Sequence, residues 1–376
     1  MKIWRIITDE IEQKLAQSEK ILIIYGPRQV GKTTLCKDIM RESKLKTLYI
    51  NADEALYSEV LSSRDARKLT NLVAGYELLI VDEAQRVPDI GINLKILYDA
   101  GTGVKIIATG SSSFELANKV SEPLTGRHWT YFLYPIAELE RRHHWNAFEL
   151  TSTQEERLVF SSYPEVFSLA GEERVSYLRT LASDYLYKDI LTLQDIRSPG
   201  KIRDLLKLLA FQIGNQVSLH ELASALEMSK ETVARYIDLL EKSFVLFRLS
   251  GFSRNLRKEV TKTHKYYFYD LGIRNSIVDN FKLLTERADT GALWENFLLL
   301  ERIKHNAYKH VLATSYFWRT YTGAEIDYVE EWENALHGYE FKWGERSKKQ
   351  PRSWISAYPH ATHEVINREN YLDFVT

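Results

Sequence analysis

The sequence predicts an α/β fold that begins with a parallel β-sheet. Apolar runs of the kind that form buried parallel strands recur along the first third of the chain, at Ile21–Tyr25, Lys46–Asn51, Glu77–Glu83 and Val104–Ser113. A glycine-rich motif follows the first run directly, and two acids end the third. Open α/β sheets bind ligands at the carboxyl ends of their strands, so we expect these two motifs to lie together.

The first run leads into a complete G-x-x-x-x-G-K-[ST] phosphate loop and then into a stretch with helical spacing. Gly26 and Gly31 allow a tight turn that aims backbone N–H groups at phosphate oxygens, and the N-terminus of the next helix adds to the attraction. Lys32 is expected to reach the β- and γ-phosphates, and the Thr33 hydroxyl to ligate Mg²⁺. The residues predicted to bind the nucleoside triphosphate are Gly26, Pro27, Arg28, Gln29, Val30, Gly31, Lys32, Thr33 and Thr34.

Polar residues at the ends of later strands are the candidates for hydrolysis. Asp82 and Glu83 end an apolar strand in a Walker B pattern, which predicts that Asp82 holds Mg²⁺, mostly through water, and that Glu83 polarises the attacking water. Ser111 follows the fourth strand and either contacts the γ-phosphate or belongs to a turn that caps the next helix. Arg127 follows a tight turn and either stabilises charge on the transferring phosphoryl group or forms a surface salt bridge.

Composition excludes several classes of protein. The formal net charge of −1 excludes a globally basic nucleic-acid binder, and the single cysteine, Cys36, excludes an intramolecular disulfide or a cysteine-rich zinc site. The N-terminal stretch is too charged for a signal peptide, and no apolar run approaches the roughly 20 residues of a membrane helix. A cytoplasmic protein of about two or three domains is therefore expected.

A second module is predicted after Ser198–Gly200, where the chain has the composition of a linker. Two short helices with serine caps, a tight turn and a strand predict a helix-turn-helix of winged type. Lys230, Thr232 and Arg235 lie near the start of the second helix, on turns that could face a DNA groove. Positive charge nearby comes from Lys242, Arg248, Arg254, Arg257 and Lys258. Glu231 and Asp238 dilute this charge, so a protein-contact or nucleotide-sensing module is the alternative.

The last segment carries acids in an ordered pattern. Glu295 lies near the start of a predicted helix, Asp327 lies on a strand, and Glu340 and Lys342 alternate with aromatic residues on the next strand. This order resembles the acid, acid, E-x-K constellation of PD-(D/E)xK nucleases. In such a site Asp327 and Glu340 would hold Mg²⁺, Glu295 would complete the shell, and Lys342 would position the attacking water or neutralise phosphate charge. A degenerate nuclease fold used for binding is the alternative.

The segments GPRQVGKTTL, LLIVDEAQ, IIATGSSS, LTGR and YPEVF, in this order, resemble prokaryotic AAA-type ATPases that carry a winged helix and a C-terminal domain of unknown function. The resemblance implies an AAA-like core of parallel strands with helices on both faces, ATP as the nucleotide, Ser111 as a sensor and Arg127 as an arginine finger. We predict the ATPase core at 1–135, a helical lid or bridge at 136–199, the winged helix at 200–255 and a small α/β restriction-endonuclease-like domain at 256–376.

Two functions agree with these motifs. In the first, Mg²⁺-dependent ATP hydrolysis drives an enzyme that acts on nucleic acid, with DNA contacted by the winged helix and the nuclease-like domain. In the second, ATP is a switch, and the C-terminal domain is a catalytically inactive module that binds protein or DNA. A second copy of the chain or another protein is a further expected partner, whereas a membrane is not.

Overall fold

The computed structural model describes residues 3–110, 123–192, 198–254, 263–344 and 351–376. Ser111, Arg257 and Lys258 lie outside the described residues, so their predicted roles stay predictions. The chain divides into two compact units, Lys2–Pro135 with Lys242–Phe244 and Ile136–Glu241 with Val245–Thr376. None of the described helices combines the length and the apolar composition that crossing a membrane requires.

The first unit is a five-stranded parallel sheet with helices between its strands. Its strands lie in the order β2-β3-β4-β1-β5, and every neighbouring pair is parallel. All five residues of β1 and of β3 are buried, which explains their unbroken apolar sequences. The elements are α1 (Ile7–Gln17), β1 (Ile21–Tyr25), α2 (Lys32–Glu42), β2 (Thr47–Asn51), α3 (Ala55–Leu61), α4 (Ala66–Leu72), β3 (Leu78–Asp82), α5 (Ile90–Asp99), β4 (Lys105–Gly110) and β5 (His128–Phe132).

The parallel α/β sheet predicted for this segment is confirmed, but β5 was not predicted. It pairs with β1 at the edge of the sheet, with Ile21 opposite His128 and Tyr25 opposite Phe132. Only one of its five residues is buried, because an edge strand is covered less than a central one. Its sequence therefore lacks the continuous apolar run that marks the other strands.

The second unit begins with short helices and continues into a long helix and a mixed sheet. The elements are α6 (Glu138–Arg141), α7 (Ala147–Ser152), α8 (Gln154–Val159), α9 (Gly171–Thr192), α10 (Pro199–Phe211), β6 (Gln216–Val217), α11 (Leu219–Leu226), α12 (Lys230–Lys242), β7 (Leu246–Gly251), β8 (His264–Phe268), α13 (Leu271–Ile277), α14 (Thr290–Tyr308), β9 (Thr314–Arg319), β10 (Glu325–Trp332), β11 (Ala335–Phe341), α15 (Arg352–Ala357), β12 (Thr362–Ile366) and α16 (Tyr371–Val375).

A buried ion network joins the first helices of this unit. The Glu138 carboxylate accepts from Arg141 at 2.7 Å and from Arg157 at 3.1 Å, and all three side chains are almost fully buried. Burial alone would raise the pKa of Glu138, but the two guanidinium groups lower it below its usual value. Arg157 also donates to the Ile136 and Ser161 carbonyl oxygens at 2.9 Å, so one side chain ties α8 to the segments that flank it.

One seven-stranded sheet, in the order β12-β11-β10-β9-β7-β8-β6, runs through the second unit. β8 pairs antiparallel with both β7 and β6, while β9, β10 and β11 form an antiparallel meander. β7 joins the two parts through a short parallel pairing with β9, and β12 adds parallel to β11. The predicted boundary between residues 255 and 256 thus falls between β7 and β8, two strands that pair with each other.

Candidate functional site

The phosphate loop joins β1 to α2, as its sequence requires. Gly31 has φ +103°, a left-handed conformation that favours glycine, and α2 begins at the next residue, Lys32. The Lys32 side chain is 4% exposed, and its ammonium donates to the carbonyl oxygens of Gly26 at 2.9 Å and Pro27 at 2.8 Å. The loop therefore brings a buried positive charge and the N-terminus of an 11-residue helix to one place, which attracts phosphate.

Asp82 is the centre of a hydroxyl cluster at the carboxyl end of the sheet. One carboxylate oxygen accepts from Thr33 Oγ1 at 2.6 Å and from Tyr49 Oη at 2.7 Å, and the other accepts from Thr109 Oγ1. Burial and the hydrogen bond to Asp82 raise the pKa of Tyr49, so this hydroxyl stays a donor. Thr33 and Asp82, the two residues predicted to serve Mg²⁺, are thus in direct contact, and hydroxyl and carboxylate oxygens are the ligands that Mg²⁺ prefers.

Glu83 lies one residue beyond Asp82 in a left-handed conformation with φ +55°. Its backbone N–H donates to Thr109 Oγ1 at 3.2 Å, and its carboxylate accepts from Gln85 Nε2 at 2.5 Å. The Thr109 hydroxyl and the Gln85 amide therefore hold Glu83 at the carboxyl end of the strands, where the phosphate loop lies. The predicted contact of Glu83 with an attacking water stays a prediction.

Three supporting residues were not predicted from the sequence. Tyr49 and Thr109 reach Asp82 because β2 and β4 are the two neighbours of β3. Arg5 is buried, and its guanidinium donates to the carbonyl oxygens of Val30, at 2.9 Å, and of Tyr134. The polar Thr109 within a buried strand was a usable signal, whereas nothing local to Arg5 indicates that it supports the phosphate loop.

Arg127 lies at the end of the sheet where the parallel strands begin, whereas the phosphate loop lies at the end where they finish. Its carbonyl accepts from the N–H of Ile21, the first residue of β1, whereas the phosphate loop follows the last. Four strand residues, about 13 Å, separate the two ends. The guanidinium of Arg127 is paired with Asp99 at 2.8 Å. The Arg127 guanidinium therefore lies away from the phosphate loop of its own chain, and its role as an arginine finger stays a prediction.

The second unit brings Asp327, Glu340 and Lys342 together. The Lys342 ammonium lies 3.0 Å from Glu340 and 3.4 Å from Asp327, and Asp327 also accepts from the N–H of Phe341 at 2.9 Å. The pairing of β9 with β10 shifts register between Ile326 and Val329, so Asp327 lies at a bulge, a feature that re-aims side chains next to functional sites.

Glu295, the remaining acid of the predicted constellation, accepts hydrogen bonds from side chains of β8. Its carboxylate accepts from Tyr267 Oη at 2.6 Å and from Lys265 Nζ at 3.1 Å, and Lys265 also contacts Glu325 at 2.7 Å. Burial and the nearby Asp327 raise the pKa of Glu295, although Lys265 and Tyr267 oppose the shift. Lys265 and Tyr267 were not predicted, because they precede Glu295 by about 30 residues and lie outside the recognised pattern.

No group of three or more His, Cys, Asp or Glu side chains is arranged to hold a metal ion within the part of the chain that the structure describes. In the second unit, lysine side chains lie between the acids that the sequence assigned to a metal. The roles of Asp327, Glu340, Glu295 and Lys342 in metal chemistry stay predictions.

Comparison with known proteins agrees with this architecture. Residues 18–140 match the AAA domain, residues 151–284 match a domain of unknown function (DUF8612), and residues 290–371 match another (DUF4143). An uncharacterised protein of Mycobacterium tuberculosis is 28% identical over 328 residues, which are 86% of this chain and 70% of the relative. An uncharacterised protein of Methanocaldococcus jannaschii is 28% identical over 333 residues, covering 77% of this chain and 69% of its own length.

A solved Walker-type ATPase of Pyrococcus abyssi has a similar fold. It superposes with a TM-score of 0.52 over 72% of this chain and 94% of its own length, at 16% identity. The family match and this likeness of fold support an AAA-type P-loop ATPase domain at residues 18–140. The family implies nucleotide binding, as the phosphate loop predicted.

Gly26→Ala tests the packing of the loop. A Cβ at Gly26 would lie 2.3 Å from the carbonyl oxygen of Leu133, whose own N–H donates to Tyr25 at 2.7 Å, so the neighbouring backbone cannot move away freely. We expect a loss of about 1–3 kcal/mol in the free energy of unfolding, which is typical of overpacking, and weaker binding of a fluorescent ATP analogue. Gly200→Ala is the control, because a Cβ there meets no atom within 4 Å. An unchanged melting temperature and affinity in Gly26→Ala would contradict this packing.

Proposed function

We propose that the chain binds ATP with Mg²⁺ and hydrolyses it, and that its second unit is a binding module controlled by the nucleotide. The observation that carries the proposal is the contact between Thr33 and Asp82, with the buried Lys32 ammonium at the start of the same helix. A triphosphate and its cation require these three groups, of which Lys32 and Thr33 come from the phosphate loop and Asp82 from the end of β3.

The residues of the first unit have separate tasks in this reaction. Lys32 leaves the loop carbonyls for the β- and γ-phosphates, and Thr33 and Asp82 are the residues that would hold Mg²⁺. When bound, Mg²⁺ neutralises charge on the phosphate oxygens. Glu83 accepts a hydrogen bond from the attacking water and orients it toward the γ-phosphate. Tyr49 and Thr109 fix the Asp82 carboxylate by donating to it.

Arg127 acts on the nucleotide of a second copy of the chain. Arg127 lies at the amino ends of the strands, whereas the phosphate loop of its own chain follows the carboxyl end of β1. This position supports action on the nucleotide of another chain. The ion pair with Asp99 is partly exposed, and such a pair contributes little to stability, so its loss costs little when the guanidinium turns to phosphate.

The second unit has features of a winged helix. Three helices, α10 to α12, precede the β7–β8 hairpin, and the short β6 pairs with β8, an order that supports this assignment. Two of the cations expected to add positive charge near the DNA-facing residues are paired with acids, Arg248 with Glu241 at 3.1 Å and Arg254 with Glu331 at 3.0 Å. This neutralisation favours a protein partner over DNA, whose binding depends on unpaired cations.

A nuclease is the second candidate for the same unit. The order α14-β9-β10-β11-α15-β12 supports a nuclease-like fold, and the contacts among Asp327, Glu340 and Lys342 favour an E-x-K centre. The contact of Lys265 with both Glu295 and Glu325 favours the binding module, because it commits two acids to an internal ion pair.

Lys32→Ala and Glu83→Gln separate binding from turnover. Lys32→Ala is expected to lose affinity for ATP, because the loop then lacks the buried ammonium that would contact the β- and γ-phosphates. Glu83→Gln keeps the shape of the side chain but cannot orient water as a base, so kcat is expected to fall by about 10²–10⁴ with binding intact. Equilibrium binding and phosphate release measure the two effects. Glu83→Gln with wild-type turnover would exclude the role given to Glu83.

Arg127→Ala tests the contribution from a second chain. Arginine fingers contribute about 10³–10⁵ to turnover in related chemistry, so Arg127→Ala is expected to be nearly inactive while still binding ATP. A mixture of Arg127→Ala with Lys32→Ala is expected to regain activity, because one variant supplies the nucleotide site and the other the arginine. Arg64→Ala is the control, since Arg64 forms a similar exposed pair with Asp89 at 2.7 Å. A mixture no more active than its parts would contradict action in trans.

DNA cleavage distinguishes the binding module from the nuclease. Single- and double-stranded DNA are incubated with wild type, Lys32→Ala and Asp327→Ala, in Mg²⁺ or Mn²⁺, with and without ATP. We expect no cleavage that depends on Asp327, alongside intact ATP hydrolysis in Asp327→Ala. Cleavage that disappears only in Asp327→Ala would establish a nuclease with ATP accessory, and its loss in both variants would mean that ATP controls the cut.

A further inference from the structure

We propose that the Lys265 ammonium is a permanent counter-ion of two acids in the second unit, Glu295 and Glu325, and that it excludes a divalent metal from the position between them. The inference rests on the proposed binding-module function and explains why the unit would bind without cutting. It assigns a role to a residue that belongs to β8, outside the nuclease-like pattern.

The geometry of Lys265 is that of a shared counter-ion. Its ammonium lies 3.1 Å from Glu295 and 2.7 Å from Glu325, which come from α14 and β10. The side chain is only 2% exposed, so water does not screen these contacts. Tyr267, two residues further along β8 and on the same face, donates to the same Glu295 oxygen at 2.6 Å. A second lysine, Lys342, lies against Asp327 and Glu340.

The strand that carries Lys265 is anchored next to Glu295. The neighbouring Asn296 clamps β8, because its side chain accepts from the N–H of Phe268 at 2.8 Å and donates to the carbonyl of Phe268 at 2.9 Å. Gly214, in the loop before β6, also lies against Glu295, since a Cβ there would be 3.4 Å from the carboxylate. Lys265 is therefore held at the acids by the strand itself and cannot withdraw as a flexible surface lysine would.

The protonation state of Lys265 agrees with this role. Burial alone would lower its pKa, but the charges of Glu295, Glu325 and Asp327 raise it above the usual value, so the ammonium persists at neutral pH. A divalent cation would have to share the position with a fixed positive charge that already uses the oxygens it needs. Without Lys265, Glu295 and Glu325 would lose their buried counter-ion, and the partly exposed Arg319 would stay 3.5 Å from Glu325. An oxygen-rich position without a buried ammonium is the setting that divalent cations favour.

Mn²⁺ binding tests the inference without any measurement of catalysis. Mn²⁺ alone is titrated into nucleotide-free protein by electron paramagnetic resonance, in an Asp82→Asn background that removes the metal ligand of the phosphate loop. We expect that adding Glu325→Gln leaves Mn²⁺ binding unchanged while Lys265 is present. Lys265→Met is expected to gain one Mn²⁺ site, with an affinity at least tenfold higher than the background, and Glu325→Gln in that variant is expected to remove it.

Lys304→Met is the matched control, because Lys304 is equally buried and pairs with a single acid, Glu301, at 2.6 Å. It is expected to lose stability without gaining a Mn²⁺ site. Two results would overturn the inference: a Mn²⁺ site in protein with Lys265 intact that Glu325→Gln weakens tenfold, or no gained site in folded Lys265→Met. The first comparison uses no Lys265 variant, so a folding failure of Lys265→Met leaves it decisive. A protein that binds Mn²⁺ but cuts no DNA would reject the metal exclusion alone and leave the binding module standing.

Discussion

The hydrogen bonds that converge on the Asp82 carboxylate set the arrangement of the nucleotide site. Thr33 comes from the start of α2, Tyr49 from β2 and Thr109 from β4, so one side chain connects the phosphate loop to both neighbours of its own strand. A buried carboxylate is costly unless donors satisfy it, and here three hydroxyls do so. The sheet order β2-β3-β4-β1 brings these donors to one place, so the arrangement of the site depends on the order of the strands.

The local motifs of the first unit could be predicted, whereas the contacts that depend on strand order could not. The phosphate loop and the acids of β3 are contiguous in sequence, and their chemistry follows from residue type and spacing. Tyr49 and Arg127 are different, because their positions depend on which strands become neighbours. Arg127 precedes β5, and only the parallel pairing of β5 with β1 places it at the amino ends of the strands. An edge strand without a continuous apolar run carries no periodic signal from which this pairing could be predicted.

In the second unit, too, some contacts of the acids could be predicted from the sequence and others could not. Asp327 and Glu340 lie on neighbouring strands of a meander, and Lys342 directly follows the second strand. The alternation of these residues with aromatic residues indicated a shared face. The partners of Glu295 come instead from β8, which belongs to the hairpin before α14. That hairpin was assigned to the boundary of two predicted domains, yet the structure builds both segments into one sheet. A pattern defined by four residues within one fold cannot include a cation supplied by the preceding hairpin.

The two acidic centres differ in what a cation must displace. At Asp82 the partners are hydroxyls, whose hydrogen bonds are worth about 0.5–1.5 kcal/mol each, and the Thr33 hydroxyl is itself a suitable ligand. A cation that enters there exchanges weak neutral contacts for strong charged ones. At Glu295 the partner is a buried ammonium, and removing one member of such a pair costs about 3–5 kcal/mol. The Asp82 carboxylate is therefore held by hydroxyls, whereas the Glu295 carboxylate is paired with a buried ammonium. This contrast supports the proposal that nucleotide hydrolysis takes place at the phosphate loop.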